Sequence, residues 1–134
     1  RLITVVAADI NGLKAVNDTG GHPVGDELIR TVADALLQGF AVLPGSLVTR
    51  IGGDEFVVLC VGHPEEDVLR VADGLCAQTW DFGPGASISC GAASAEITED
   101  SEQVMKAVFG AADRAQYVAK RRGLHRTSVA RDPQ

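Results

Sequence analysis

A chain of 134 residues, 46% hydrophobic and 22% charged, has the size and make-up of one soluble domain with a single core. A net charge of −6 argues against general nucleic-acid binding, which needs a basic face. The longest apolar run, Phe56 to Val61, is far short of the roughly 20 residues a membrane helix needs.

Leu2 to Ala8 is β-rich and ends at Asp9. It opens with no signal-peptide pattern, so the chain is expected to be one domain, 1–134, cut from a longer protein. Pro23 to Phe40 carries Val24, Leu28, Val32, Ala35 and Leu36 at helical spacing, with Pro23 at the first helical position. Leu47–Ile51 and Glu55–Val61 read as two strands around Gly52-Gly53-Asp54, a hairpin whose glycines would supply the positive φ of a primed turn. Pro64 to Gln78 is a second helix, with Glu65, Glu66 and Asp67 in its first turn and Val68, Ala72 and Leu75 as its stripe. Ala86 to Ser94 alternates through Ile88, Cys90 and Ala92 as a strand. Glu102 to Lys120 is a third helix with Val104, Val108, Ala111, Ala115 and Val118 on one face. Asp100 and Gln103 have the spacing of a capping box before it. Arg126 to Ala130 reads as an edge strand, and Pro133-Gln134 as frayed tail.

This order predicts an α+β fold, a βαββαβ ferredoxin-like core with additions, its mostly antiparallel sheet flanked by helices. Cys60, Cys76 and Cys90 are widely spaced and form no Cys-x-x-Cys pair, so neither a disulfide framework nor a zinc site is expected. Buried thiols in a reducing, cytoplasmic setting fit instead.

In such a sheet the first strand and the hairpin are neighbours, so Asp9 and Asp54 converge. Most lone strand-end acids are caps, and Asn17 to Gly21 alone could be only a loop. Two converging carboxylates suit Mg²⁺, with Mn²⁺ as an alternative, because hard cations take oxygen ligands and complete their shell with water and phosphate. Gly52 and Gly53 lack Cβ atoms and let a ligand approach the backbone. Lys14 and Lys120 offer point charges to phosphate. Asn17 and Asp26 can pair with a base edge, and guanine offers the donors a carboxylate accepts.

Three blocks, Asp9 to Asp26, Arg50 to Phe56 and Ala112 to Gly123, closely resemble the GGDEF domain family, the bacterial diguanylate cyclases. The resemblance spans nearly the whole chain. It implies a palm-like nucleotidyl cyclase fold and condensation of two GTP into cyclic di-GMP across a homodimer. It implies that Asp9, Asp54 and the carbonyl of Ile10 bind metal, and that Asp54 takes the proton of the ribose 3′-hydroxyl. Lys14 would steady charge on the phosphates, Asn17 and Asp26 read guanine, and His22 lie nearby. Gly52 and Gly53 would face the nucleotide, Glu55 support the metal site, and Lys120 touch phosphate. Sensory or phosphodiesterase domains are the expected neighbours, with no nucleic acid and no membrane contact by this domain.

Four departures qualify the resemblance. Leu43 and Ser46 stand where the family's Arg-x-x-Asp product site would be. Leu124 stands where an arginine follows the last helix. Asn11 replaces a frequent Asp but spares both metal positions. The family's usual N-terminal helical segment is absent. A second reading is therefore a GGDEF domain that only binds GTP and regulates a neighbour. A third, an RNA-binding ferredoxin-like module, is disfavoured by 4% aromatics and by strands without base-stacking pairs.

Overall fold

The central strand, β1 (Leu2–Asn11), is nearly continuous in Val, Ile and Ala, and both its faces are covered. A computed structural model describes residues 1–98 and 101–131, the side chain of Ser101 excepted. After β1 come α1 (Leu13–Gly20), α2 (His22–Phe40), β2 (Leu47–Arg50), β3 (Glu55–Val61) and α3 (Glu65–Cys76). β4 (Ser87–Glu96), α4 (Ser101–Arg122) and β5 (Ser128–Val129) complete the order. The expected capping box at Asp100 and the tail at Pro133-Gln134 lie outside the described residues.

The sheet order is β2-β3-β1-β4-β5. All pairs are antiparallel except β4–β5. This is the expected split βαβ core, with α1, α4 and the edge strand β5 added. Period-2 alternation sorts β1 between two cores. Val6, Ala8 and Ile10 pack with α2 and α3; Ile3, Val5 and Ala7 pack with α4. Asp9 shares parity with the α4 side. Cys60, Cys76 and Cys90 are free and buried, as expected.

Two helix faces differ from the periodicity reading. On α2 the buried stripe is Gly25, Leu28, Val32, Leu36 and Phe40, while Val24 is 37% exposed. On α4 the buried set includes Val108, Ala111, Ala112, Ala115 and Ala119, while Val118 is exposed. Small side chains let α4 settle tightly on β4. A Cβ at Gly91 would lie 2.0 Å from the Gln116 backbone nitrogen.

The end of α4 is a Schellman motif. Gly123 adopts φ 62°, its N–H donates to the Lys120 carbonyl, and the Leu124 N–H donates to the Ala119 carbonyl. Leu124 thus holds the position that commonly carries an apolar residue. Among the described residues, no helix is long and apolar enough to cross a membrane.

Candidate active site at the end of the central strands

β1 and β3 run in register so that Asp9 faces Glu55 across the pair. The Ile10 N–H donates to the Asp54 carbonyl at 2.9 Å, tying the end of β1 to the hairpin turn. The turn is closed by the Ile51 N–H donating to the Glu55 carbonyl at 2.9 Å. Arg50 holds its outer side. Nε donates to the Gly52 carbonyl and Nη2 to the Gly53 carbonyl, each at 2.9 Å. The expected primed turn does not form, because neither Gly52 nor Gly53 has positive φ. The Arg50 clamp and the longer loop satisfy the turn instead. A Cβ at Gly53 would meet nothing within 4 Å, and one at Gly52 would make only ordinary contacts. Neither backbone strain nor internal packing demands these glycines.

Asp9 is the electrostatic centre. Burial pushes its carboxyl above the usual range, Lys120 opposes this by hydrogen bond and charge, and neighbouring Asp54 raises it again. Lys120 Nζ donates to Asp9 Oδ2 and lies 3.4 Å from the Ile10 carbonyl oxygen. The lysine, expected to touch phosphate, thus sits on two of the three groups expected to bind metal. Asp9 Oδ1 is buried with no hydrogen-bond partner. Glu55 is also raised, first by burial and then by the charges of Asp9, Asp113 and Asp54, with Lys120 opposing.

These oxygens fit a hard divalent cation. Among the described residues no three His, Cys, Asp or Glu side chains form a ligand cluster. Two carboxylates, one of them with an orphaned buried oxygen, and a backbone carbonyl are nevertheless the partial shell that Mg²⁺ accepts when water and phosphate supply the rest. Asn11, by contrast, is turned to β4, its Nδ2 donating to Ser87 Oγ at 3.1 Å and Ser89 Oγ at 3.0 Å.

The second group of expected residues lies at the α1–α2 corner. Asn17 to Gly20, open to a loop reading, folds as the second half of α1, which packs on α2 through buried Val16. Gly12 and Gly21, at φ 82° and 86°, make the bends on either side of it. The Gly21 N–H donates to the Asn17 carbonyl at 2.8 Å. Asn17's amide lies over Gly25 so closely that a Cβ there would come within 1.7 Å of Asn17 Oδ1. His22 and Asp26, four residues apart, are both exposed on successive turns at the start of α2. Lys14 stands apart from Asp9 and Asp54 in its contacts, paired instead with Asp18 at 3.2 Å on the helix surface.

Two supporting residues were not singled out from sequence. Gly25 had a readable signal, a side-chain-less position three residues before Leu28 on the buried stripe. Arg50 had none, since its role depends on where the turn carbonyls point.

A family profile described as "Diguanylate cyclase, GGDEF domain" matches residues 1–126. The chain belongs to the GGDEF family. Its sequence is 41% identical over 119 residues to the "Uncharacterized protein in hutH 5'region" of Streptomyces griseus, covering 89% of this chain and 49% of that protein. It is 33% identical over 135 residues to diguanylate cyclase DosC of Escherichia coli, covering 95% of this chain and 28% of that protein. The fold superposes on the GGDEF domain of DgcB from Caulobacter crescentus, solved with c-di-GMP, with a TM-score of 0.78 at 27% identity. That match covers 98% of this chain and 79% of the other. The GGDEF domain described here therefore spans less than half the length of these two curated relatives.

Proposed function

We propose that this GGDEF domain condenses two GTP molecules into cyclic di-GMP and pyrophosphate, as one half of a homodimer. The observation that carries the reading is Asp9, with an orphaned buried oxygen, set beside Asp54 at a turn whose two glycines nothing inside the protein requires. Family membership and similarity to DosC support the same chemistry.

In this reading Asn17 and Asp26 hold the guanine edge, with His22 beside them, and the nucleotide runs from the α1–α2 corner to Gly52-Gly53. A Mg²⁺ held by Asp9, Asp54 and the Ile10 carbonyl would lower the pKa of the 3′-hydroxyl and offset phosphate charge. Asp54 accepts the 3′-hydroxyl proton as that oxygen bonds to the α-phosphorus of the facing GTP and pyrophosphate leaves. Glu55 keeps the region anionic and supports Asp54. Lys120 leaves Asp9 for a phosphate oxygen. Lys14 does the same from Asp18, a surface pair worth only about 0.3–0.5 kcal/mol. Each domain holds one GTP, so ring closure needs two domains face to face. The acid at Asp26 gives GTP preference over ATP; equal turnover of both would refute that assignment.

A second reading, a domain that binds GTP and regulates an adjoining one, is favoured by one feature. Leu124 occupies the helix-capping position where the family has a phosphate-binding arginine, and its N–H is spent on the Ala119 carbonyl. The deciding experiment incubates a stably dimeric form with GTP and Mg²⁺ and follows cyclic di-GMP by chromatography, with Asp54→Ala as control. Product from the parent alone supports the cyclase; GTP binding without product supports the regulator.

A further inference from the structure

Arg50 is exposed, yet its guanidinium is spent on the hairpin turn, with one N–H on the Gly52 carbonyl and one on the Gly53 carbonyl. Two consecutive carbonyls are thus taken by one rigid planar fork, a geometry that an ammonium group cannot reproduce. Among the described residues Arg50 has no ion-pair partner that would compete for it. The register sets Arg50 opposite Phe56, which packs in the α2–α3 core, whereas Asp9 faces Glu55 with the α4 parity. Arg50 therefore leaves its strand on the opposite face from those two carboxylates and acts on the site only through the chain.

The turn's own backbone bonds leave this stretch free. The N–H groups of Ile51 and Gly52 both donate to the Glu55 carbonyl, at 2.9 and 3.4 Å, and among the described residues no backbone bond holds the N–H of Gly53 or Asp54. Two successive glycines with nothing crowding them have wide conformational freedom. Asp54 follows directly. A residue's φ and ψ are set once the peptide planes on both sides of its Cα are set. The plane after Asp54 is held by the Ile10 N–H, which donates to the Asp54 carbonyl at 2.9 Å. The plane before it carries the Gly53 carbonyl, which Arg50 Nη2 holds.

We propose that Arg50 is a positioning residue for Asp54: it touches neither metal nor nucleotide, and by clamping the Gly52 and Gly53 carbonyls it fixes the direction in which the Asp54 carboxylate leaves the turn. The inference rests on the reading of Asp54 as metal ligand and proton acceptor.

The first arm of the test needs neither nucleotide nor metal. By ¹⁵N relaxation the Gly53 and Asp54 amides should be ordered in the parent, with order parameters of about 0.85, and fall below about 0.6 in Arg50→Lys and Arg50→Ala. The Tm should stay within about 2 °C, because the substitution is on the surface. The second arm is turnover of GTP with Mg²⁺ by the stably dimeric form. In both variants kcat should fall about 10- to 100-fold while KM for GTP moves less than about threefold, since the α1–α2 corner is untouched. Methylguanidinium, at concentrations that leave the melting curve unchanged, should restore amide order and part of kcat to Arg50→Ala. Methylammonium, a charge without the fork, should not. The proposal is overturned if the two amides are mobile in the parent or stay ordered in either variant. It is equally overturned if KM rises with kcat unchanged, if Tm collapses together with activity, or if methylammonium rescues as well as methylguanidinium. A parent that makes no product sinks the cyclase reading alone, and the amide order then decides the clamp.

Discussion

Asp9 and the glycines around it show how single residues divide between stability and use. Asp9's carboxyl is held above its ordinary value of 3.8, so the folded protein binds that proton more tightly than the unfolded chain. Its contribution to stability is present below the ordinary value and lost as pH rises through the raised one. Asp9→Asn should therefore melt higher than the parent at pH 7, with the gap closing as the solution is acidified through the carboxylate range. In the same thermal melts Mg²⁺ should raise the parent's Tm and leave Asp9→Asn nearly unmoved; equal shifts in both would remove Asp9 from the metal site. Two alanine substitutions separate packing from ligand contact. Gly25→Ala drives a methyl into Asn17 and should destabilise by about 1–3 kcal/mol in denaturant, with loss of guanine-nucleotide binding. Gly53→Ala meets nothing within 4 Å, so stability should stay within about 0.5 kcal/mol while nucleotide binding still falls. A Gly53→Ala protein that binds fluorescent GTP normally would show that nothing docks against the turn.

At the scale of elements, short pieces take their form from neighbours. α1 has eight residues and no side-chain cap, too little to be stable alone. It exists because Val16 is buried and Asn17 lies on Gly25, and neither contact is local. The Leu43–Ser46 element is anchored inward by its leucine, with Pro44 and Gly45 exposed. Leu43 is 8% exposed, and Ser46 Oγ donates to its carbonyl at 2.7 Å. A leucine that packs in the core offers no charge to a product site of the family's kind. Leu43→Arg should thus destabilise by about 2–3 kcal/mol in urea titrations, because it buries an unpaired charge, rather than install cyclic di-GMP binding. Low-micromolar binding of cyclic di-GMP lost on changing Ser46 would contradict this. Leu124 follows the same logic: it completes the Schellman end of α4, one turn from Lys120.

For the whole molecule, the close seat of α4 on β4 sets the position of the site. It brings Lys120 to Asp9 across 111 residues of chain, and Asp113 close enough to Glu55 for its charge to be felt there. Gly91→Ala would place a Cβ 2.0 Å from the Gln116 nitrogen and 2.4 Å from the Ala112 carbonyl oxygen. Backbone cannot yield as a side chain can, so this variant should lose more than about 3 kcal/mol or fail to fold. A purified Gly91→Ala protein with the parent's Tm would mean that α4 sits farther from the sheet than described.

Much of this protein was legible without coordinates. Apolar period and turn residues placed the five strands and three long helices of the described residues, because burying one face of each is a local pattern. Adjacent strands in a split βαβ sheet brought Asp9 to Asp54 by topology alone. Tertiary structure decided the rest. It put Val24 and Val118 outside and Gly25 inside, since helix crossing rather than periodicity selects which residue meets a neighbour. It made a helix of 13–20. It showed that Gly52 and Gly53 need no positive φ, and that Lys120 rests on Asp9 and the Ile10 carbonyl. The helix faces and the Lys120 contacts turn on distances between atoms far apart in the chain, which no local pattern encodes, while the Gly52-Gly53 turn depends on where its carbonyls meet Arg50.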